Sequence, residues 1–478
     1  MSMLYKAVRS TLRWALGMYY VDIQAIGLEH VPRSGALIFA ANHPNSIMDT
    51  VLLGTQTHRT IRYMARSGLF KNPLSRALFN HFGVIPIYRP QDNPQQTGRN
   101  QDSFGRAYEV LQEGECIGIF PEGRNSNERA VFDIKTGTAR IALGAEASAD
   151  YDIGLKIIPV GLNFENRDRF LTSVLIRFGE PIEVGQWAQT HREHERAAVK
   201  SLTDHLQERL RQEATHIDDE VVRKLTRDIW AIYGQQLLIK MIGQWKKGAP
   251  QGDLPGERYD LDSKFWMKQR IADAINHFMD TDPEVFDSIR KRVRAYKDHL
   301  HQVELHHSFL ERNPEELSLR RESIKFTLYA IVLAPIALWG LMGNVGPYTL
   351  TRAASLTAPD EPIRAIRGFS AGLIFYPLFY TLYAAAIWLL SAKDLFWTLG
   401  ILASLPPAGF FYLRYRRQLA RYRDQIIVRT LFLTDAFLLK RLHKERAELM
   451  DAMETLRQRF VDEVGSDFEA HLERKAYT

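Results

Sequence analysis

The sequence is short of cysteine and of any strong charge bias. Of 478 residues only Cys116 is a cysteine, so no disulfide can form within the chain, and neither a cysteine zinc cluster nor a redox pair can be built. Sixty-two basic residues against 56 acidic ones leave a net charge of +6. That excess is too small to argue for nucleic acid, so the expectation is no nucleic-acid partner. No G-x-x-x-x-G-K or G-x-G-x-x-G phosphate loop occurs, and no G-x-S-x-G elbow of a serine hydrolase. The N-terminus lacks a secretory pattern, because Lys6, Arg9 and Arg13 are spread through it and no A-x-A site follows Trp14 to Val21.

What is present changes in character along the chain. Leu4, Val8, Leu12, Ala15, Leu16 and Tyr19 recur at helical spacing. The spacing predicts a basic amphipathic helix over 1–21, either lying in a membrane interface or packed on its own domain. Over 22–185 short apolar runs alternate with helical patterns. Strands are expected at Asp22–Gly27, Ala36–Ala41, Ile61–Ala65, Gly83–Tyr88, Cys116–Phe120, Lys156–Phe164 and Val174–Phe178. Helices are expected at Ile47–Gln56, Pro73–Phe82, Ser103–Gln112 and Gly137–Ser148. This alternation argues an α/β fold with a mostly parallel sheet flanked by helices, carrying its chemistry at strand ends.

A charged helical region follows over 186–321. Its histidines, with His299, His301 and His306 the nearest to a cluster, have no acidic or cysteine partner at ligand spacing, so no metal site is expected. Three uncharged stretches then occupy Phe326–Thr351, Gly368–Ala392 and Leu395–Leu413. A membrane span needs about 20 apolar residues, and the region 322–413 is read as membrane segments. Pro335, Gly340, Gly343, Gly346 and Pro347 interrupt the first stretch, so it is expected to be re-entrant or interfacial, with the other two spanning. That arrangement puts the clusters at Arg320, Arg352 and Arg414 on one side, the cytoplasmic one by the positive-inside bias. Residues 414–478 read as one or two helices on the same side.

The chemistry concentrates at Ala36–Thr50, ALIFAANHPNSIMDT. A strand runs into a turn carrying His43, and Asp49 falls in the first turn of the next helix. Imidazole with a carboxylate behind it is the minimum apparatus for taking a proton from an alcohol. Ser46-x-x-Asp49 also fits a capping box, in which Asp49 only satisfies backbone donors. In a regular helix neither five nor six residues of separation puts two side chains on one face. A contact therefore needs a non-helical turn at Pro44-Asn45.

Three further blocks end strands in the same way: Gly83-Val84-Ile85-Pro86-Ile87-Tyr88-Arg89, Ile119-Phe120-Pro121-Glu122-Gly123-Arg124-Asn125-Ser126, and Ile157-Ile158-Pro159-Val160-Gly161. With Asn42-His43-Pro44-Asn45-Ser46-Ile47-Met48-Asp49 they resemble the four blocks of the glycerophospholipid acyltransferase superfamily, over about residues 20–185. The C-terminal extension is more similar to the long glycerol-phosphate branch than to the short lysophosphatidate-type one. The spacing departs from the family's H-x4-D, since five residues separate His43 from Asp49.

The resemblance implies transfer of a fatty acyl group from acyl-CoA or acyl-carrier protein to a hydroxyl of glycerol-3-phosphate or lysophosphatidate at a lipid bilayer. It involves no further cofactor and no covalent acyl-enzyme. His43 is then the general base, Asp49 its orienting carboxylate and Arg89 a phosphate donor. Glu122 and Gly123 belong to the third block, where Glu122 is expected to hydrogen-bond acceptor hydroxyls or hold a cation. Arg124, Ser126 and Lys135 are additional phosphate candidates, Lys135 opening the Gly137 helix. Arg66 is read as a solvated loop arginine. The rival readings are a lipid or thioester hydrolase using the same pair on water, and an inactive membrane scaffold with the same fold.

Overall fold

The structure, a computed structural model, describes residues 3–70, 72–88, 95, 98, 100–124, 130–248, 261–302, 319–391, 393–434 and 436–465. They fall into two compact units, 1–218 with 357–369, and 219–356 with 370–478.

In chain order the first unit holds α1 (Met3–Tyr19), β1 (Asp22–Ile26), β2 (Leu37–Ala41), α2 (Ile47–Gln56), β3 (Ile61–Arg66), α3 (Pro73–His81) and β4 (Ile85–Ile87). It continues with α4 (Asn100–Gln112), β5 (Cys116–Ile119), α5 (Gly137–Ala147), β6 (Lys156–Phe164), β7 (Ser173–Phe178), β8 (Ile182–Glu183), α6 (Ala188–Glu193) and α7 (Glu195–Glu213). The sheet order is β1-β7-β6-β2-β5-β3-β4, with β8 on β6. Only β6–β7 and β6–β8 are antiparallel among the described pairs. The expected mostly parallel sheet flanked by helices is therefore the observed one.

β2 lies between β6 and β5, and all of its residues are buried. A strand covered on both faces needs such an unbroken apolar run. Its side chains alternate between two cores. Ile38 and Ala40 join Ile117, Ile119 and Ile157 under α4, α5 and α7. Leu37, Phe39 and Ala41 join Ile158 and Val160 under α1 and α2. Because β5 pairs with one side of β2 and β6 with the other, the strand order reverses at β2. A crevice forms outside the carboxyl ends at such a reversal.

One boundary differs from that expected. The α/β unit runs to Asp218, not 185, because the charged α7 has an apolar face. Ala198, Val199, Leu202, Leu206 and Leu210 complete the core under the sheet, and at Gly161 the backbone of Glu213 comes so close that no Cβ would fit. The amphipathic α1 packs on its own domain through Ala15 and Leu16, while Met3, Leu4 and Trp14 stay exposed.

The second unit holds α8 (Glu220–Gly248), α9 (Leu261–Thr281), α10 (Pro283–Gln302), α11 (Leu319–Leu356), most of α12 (Glu361–Leu390), α13 (Leu395–Thr434) and α14 (Ala436–Val464). His299 pairs with Glu445 at 2.9 Å, while His306 lies outside the described residues. Among the described residues three helices are long and apolar enough to cross a membrane: Ser323–Leu356, Ile363–Leu390 and Leu395–Ala420. The first was expected to be interrupted. Instead α11 runs unbroken through Pro335 and Pro347, as helices in lipid tolerate when neighbouring groups re-satisfy the backbone. Asn344 ties α11 to a second helix, donating to the carbonyls of Gly340 at 2.8 Å and Leu405 at 3.0 Å. The apolar surface of α12, with Ile374, Leu378, Leu382 and Leu389 exposed, is the face a lipid environment covers.

Candidate active site

The carboxyl ends of β2, β5 and β6 each deliver polar residues to the crevice. After Ala41 the chain leaves β2 through Asn42, whose side chain donates to the Leu162 carbonyl at 3.3 Å and accepts the Leu162 N–H at 2.7 Å. This pins the turn to β6. Ser46 follows at φ 54° and ψ −134°, an uncommon conformation for a residue with a side chain. That bend absorbs the additional residue, and α2 opens only at Ile47.

The result brings His43 and Asp49 together. Nδ1 of His43 lies 3.0 Å from Oδ2 of Asp49. The same oxygen accepts the Asn45 N–H at 2.7 Å. Asp49 is thus both an orienting carboxylate and a backbone acceptor, so the two readings of Ser46-x-x-Asp49 merge, although Ser46 itself makes no side-chain cap. Asp49 is fully buried. Its other oxygen and Oδ1 of Asn45 have no partner among the described residues. Burial pushes the Asp49 carboxyl above its ordinary range, while the His43 contacts, the Asn45 N–H and the Arg167 charge pull it back.

The imidazole stacks on Phe120, centroids 4.0 Å apart and planes within 18°, and Tyr63 lies parallel to Phe120 beyond. With Nδ1 held by Asp49 and one face covered, Nε2 is left without a partner among the described residues. A carboxylate on Nδ1 fixes the tautomer with its proton there, so Nε2 carries the lone pair.

Glu122 reaches the site from the end of β5, where its two oxygens hold backbone. It is 2% exposed. Oε1 accepts the backbone N–H of His43 at 2.9 Å and Oε2 that of Phe132 at 3.2 Å. Two buried backbone donors would otherwise be orphaned. Burial, reinforced by Asp49, raises its carboxyl above the usual range against those two N–H groups.

Gly123 turns at φ 66°, and a Cβ there would meet the Lys135 side chain at 3.2 Å. The Lys135 N–H bonds the Pro121 carbonyl at 2.9 Å. Arg124 is exposed, its guanidinium 3.7 Å above the Phe132 ring. Arg66 is the exposed last residue of β3. Arg89 and Ser126 lie outside the described residues.

Sequence reasoning treated Asn42 and Asn45 as turn formers and passed over Phe120 and Arg167. Asn42 and Asn45 flank His43 in a turn that must leave a buried strand, and buried turns need side-chain partners for their backbone groups. That was the available signal. Nothing in the sequence linked Arg167, 122 residues away from Asn45, to the same turn.

A reversal point carrying a histidine–carboxylate pair, with FPEG at the neighbouring strand end, defines a class, and residues 22–163 match the acyltransferase family model. That stretch is a domain of the acyltransferase family. Among curated proteins, 141 residues are 31% identical to glycerol-3-phosphate O-acyltransferase 1 of Saccharomyces cerevisiae, covering 29% of this chain and 18% of that one. Its second form in the same yeast is 34% identical over 22% of this chain and 14% of its own length. A 1-acyl-sn-glycerol-3-phosphate acyltransferase of Borreliella burgdorferi is 22% identical over 46% of this chain and 77% of that protein. The chain spans less than a fifth of the yeast relatives it matches.

Proposed function

We propose that this protein is a membrane-bound acyltransferase that moves a fatty acyl group from a CoA or carrier-protein thioester to a hydroxyl of glycerol-3-phosphate or lysophosphatidate. The observation that carries the reading is His43, with Nδ1 bound to a buried carboxylate at 3.0 Å and Nε2 unpartnered among the described residues. In the reaction Nε2 takes the proton of the acceptor hydroxyl as its oxygen attacks the thioester carbonyl. The C–O bond forms, the C–S bond breaks, and the proton passes to the departing thiolate. Asp49 stabilises the imidazolium between these steps. General base catalysis of this kind supplies about 10²–10⁴-fold. The acceptor phosphate is assigned to Lys135 and Arg124, with Arg89 of the second block, since ammonium and guanidinium groups suit phosphate oxygens.

The named acceptors of the relatives support the substrate class, and the apolar helices support work at a bilayer. We place the α/β unit on the cytoplasmic side by the positive-inside bias, with the arginines at 320, 321, 352, 364, 367, 414, 416 and 417 flanking the apolar helices. α14 packs on the helices preceding α11, through His277–Glu463 at 2.7 Å and Arg459–Asp282 at 2.8 Å, which favours an even number of crossings between them. α11 runs beside α13, through Asn344–Leu405 at 3.0 Å and Tyr415–Ala330 at 2.7 Å, so these two helices enter the same environment.

The test is a panel of acceptors with one labelled acyl donor and purified protein in detergent. Acceptor-dependent labelled ester supports the reading. Free fatty acid released at the same rate with and without acceptor sinks it in favour of hydrolysis.

A further inference from the structure

The connection between β6 and β7, residues 165–172, is held from three directions. From the site, Asn45 Nδ2 donates to the Arg167 carbonyl at 2.9 Å. From α1, the Tyr19 carbonyl accepts the Leu171 N–H at 2.8 Å. From the first turn of α12, Arg364 Nη1 meets Asp168 Oδ2 at 2.8 Å. Apolar contacts reinforce the last two, because Tyr19 packs edge-on against both Phe170 and Phe369, each at 5.6 Å. Ala365 and Phe369 are buried in the core with Leu16, Phe39 and Met48. Leu171 sits at φ 57°, a conformation that persists only where surroundings enforce it. The connection is thus a part whose shape is imposed by its neighbours.

Arg167 and Asp168 are consecutive. One holds the catalytic turn and the next is held by the segment Thr357–Phe369, which in sequence joins two long apolar helices. We propose that Asp168 and Arg364 are positioning residues. Their ion pair seats the β6–β7 connection so that the Arg167 carbonyl can hold Asn45, which keeps the His43–Asp49 turn in register. The α/β domain then completes its site only when the root of α12 is docked on it, which ties the competence of the site to the membrane portion of the chain. The consequence for catalysis rests on the acyl-transfer reading above; the mechanical coupling does not.

The experiment uses the full chain in detergent, with Arg364→Ala and the isosteric Asp168→Asn, which changes no volume and serves if the alanine variant does not fold. Hydrogen–deuterium exchange followed by mass spectrometry reads peptide 42–50, where the Asn45 and His43 amides are held by Asp49 and Glu122. Both variants should raise its exchange severalfold while the β2 peptide 37–41 exchanges as in the parent. In the acyl-transfer assay kcat should fall about tenfold or more with KM unchanged, since small misplacements of a catalytic group cost that much. Arg364→Lys, or the exchange of Asp168→Arg with Arg364→Asp, should restore both readouts. Unchanged exchange over 42–50 in Asp168→Asn overturns the proposal, as does an equal rise in 37–41. If exchange rises as expected but the parent esterifies no acceptor, the coupling stands and the acyl-transfer reading falls.

Discussion

Asp49→Asn separates what the buried carboxylate does for catalysis from what it costs the fold. Asp49 is fully buried, with one oxygen on His43 and Asn45 and the other unpartnered among the described residues. Its proton affinity is raised in the folded chain by burial. A carboxyl whose folded pKa lies above its unfolded one stabilises the fold fully below the unfolded value, 3.8, and that contribution is lost as pH rises through the folded value. At neutral pH the charge is therefore a liability, and an amide of the same shape removes it. Each tenfold change in proton affinity is worth about 1.4 kcal/mol, and each kcal/mol about 2–4 °C in a unit of this size. The variant should melt higher than the parent at pH 8, with the difference narrowing toward pH 4. Its activity should move the other way. With Asn at 49 the amide oxygen that keeps the Asn45 N–H still faces Nδ1, but the negative charge that stabilises the imidazolium is gone; in serine proteases replacing the corresponding carboxylate by an amide costs about 10⁴ in kcat. Scanning fluorimetry across pH 4–8 and the labelled-acyl assay read the two effects. A variant that melts lower than the parent at pH 8, or one that keeps its kcat, refutes the reasoning.

His43→Ala should lower kcat by about 10²–10⁴-fold while leaving the melting temperature within a degree or so, because the ring is partly exposed; full retention of acyl transfer would remove the base assignment. Glu122→Ala strips two buried backbone N–H groups of their acceptor, at about 1–3 kcal/mol each, so it should lower both the melting temperature and kcat; a rise in acceptor KM alone would instead return Glu122 to substrate binding. Lys135→Ala should raise KM for the phosphate-bearing acceptor about tenfold with kcat unchanged, as loss of a charge-assisted hydrogen bond does. For the membrane arrangement, single cysteines replacing Glu109, Asp360 and Lys393 in a Cys116→Ala background can be labelled with an impermeant maleimide in sealed vesicles. Positions 109 and 360 should react from the same side, as parts of one compact unit; 360 reacting from the opposite side would mean that α11 crosses, and 393 reacting with 360 that α12 does not.

The α/β layer was legible because its signals are local. Parallel strands buried on both faces must be unbroken apolar runs, and the helices between them carry period-3.6 stripes, so β2, β5, β6 and α2 fall where the residue pattern put them. What escaped depends on distant partners. α7 looks solvated because charges dominate its composition, yet five apolar side chains at helical spacing are enough to close one core. The prolines of α11 read as breaks because a lone helix is weakened at each, whereas here α11 is braced along a second helix through Asn344 and Leu405.

The site shows the same division. His43 and Asp49 were recognisable from residue type, but six positions apart they meet only because Ser46 adopts a positive φ and Asn42 and Asn45 tie the turn to β6 and to Arg167. Glu122 was recognisable as important, but its two backbone partners were not legible. A carboxylate beside a phosphate cradle suggests substrate, while its two oxygens face two backbone amides. That difference has a physical sense. Asp49 and Glu122 are both buried carboxylates, the first raising the proton affinity of the second, and a site tolerates two such groups only when fixed donors hold them. One holds the imidazole from Nδ1 and the other holds the same residue from its backbone nitrogen. His43 is thus gripped at both ends, with stacking on Phe120 fixing the plane between them, and the single direction left open is the one along which Nε2 meets an incoming hydroxyl.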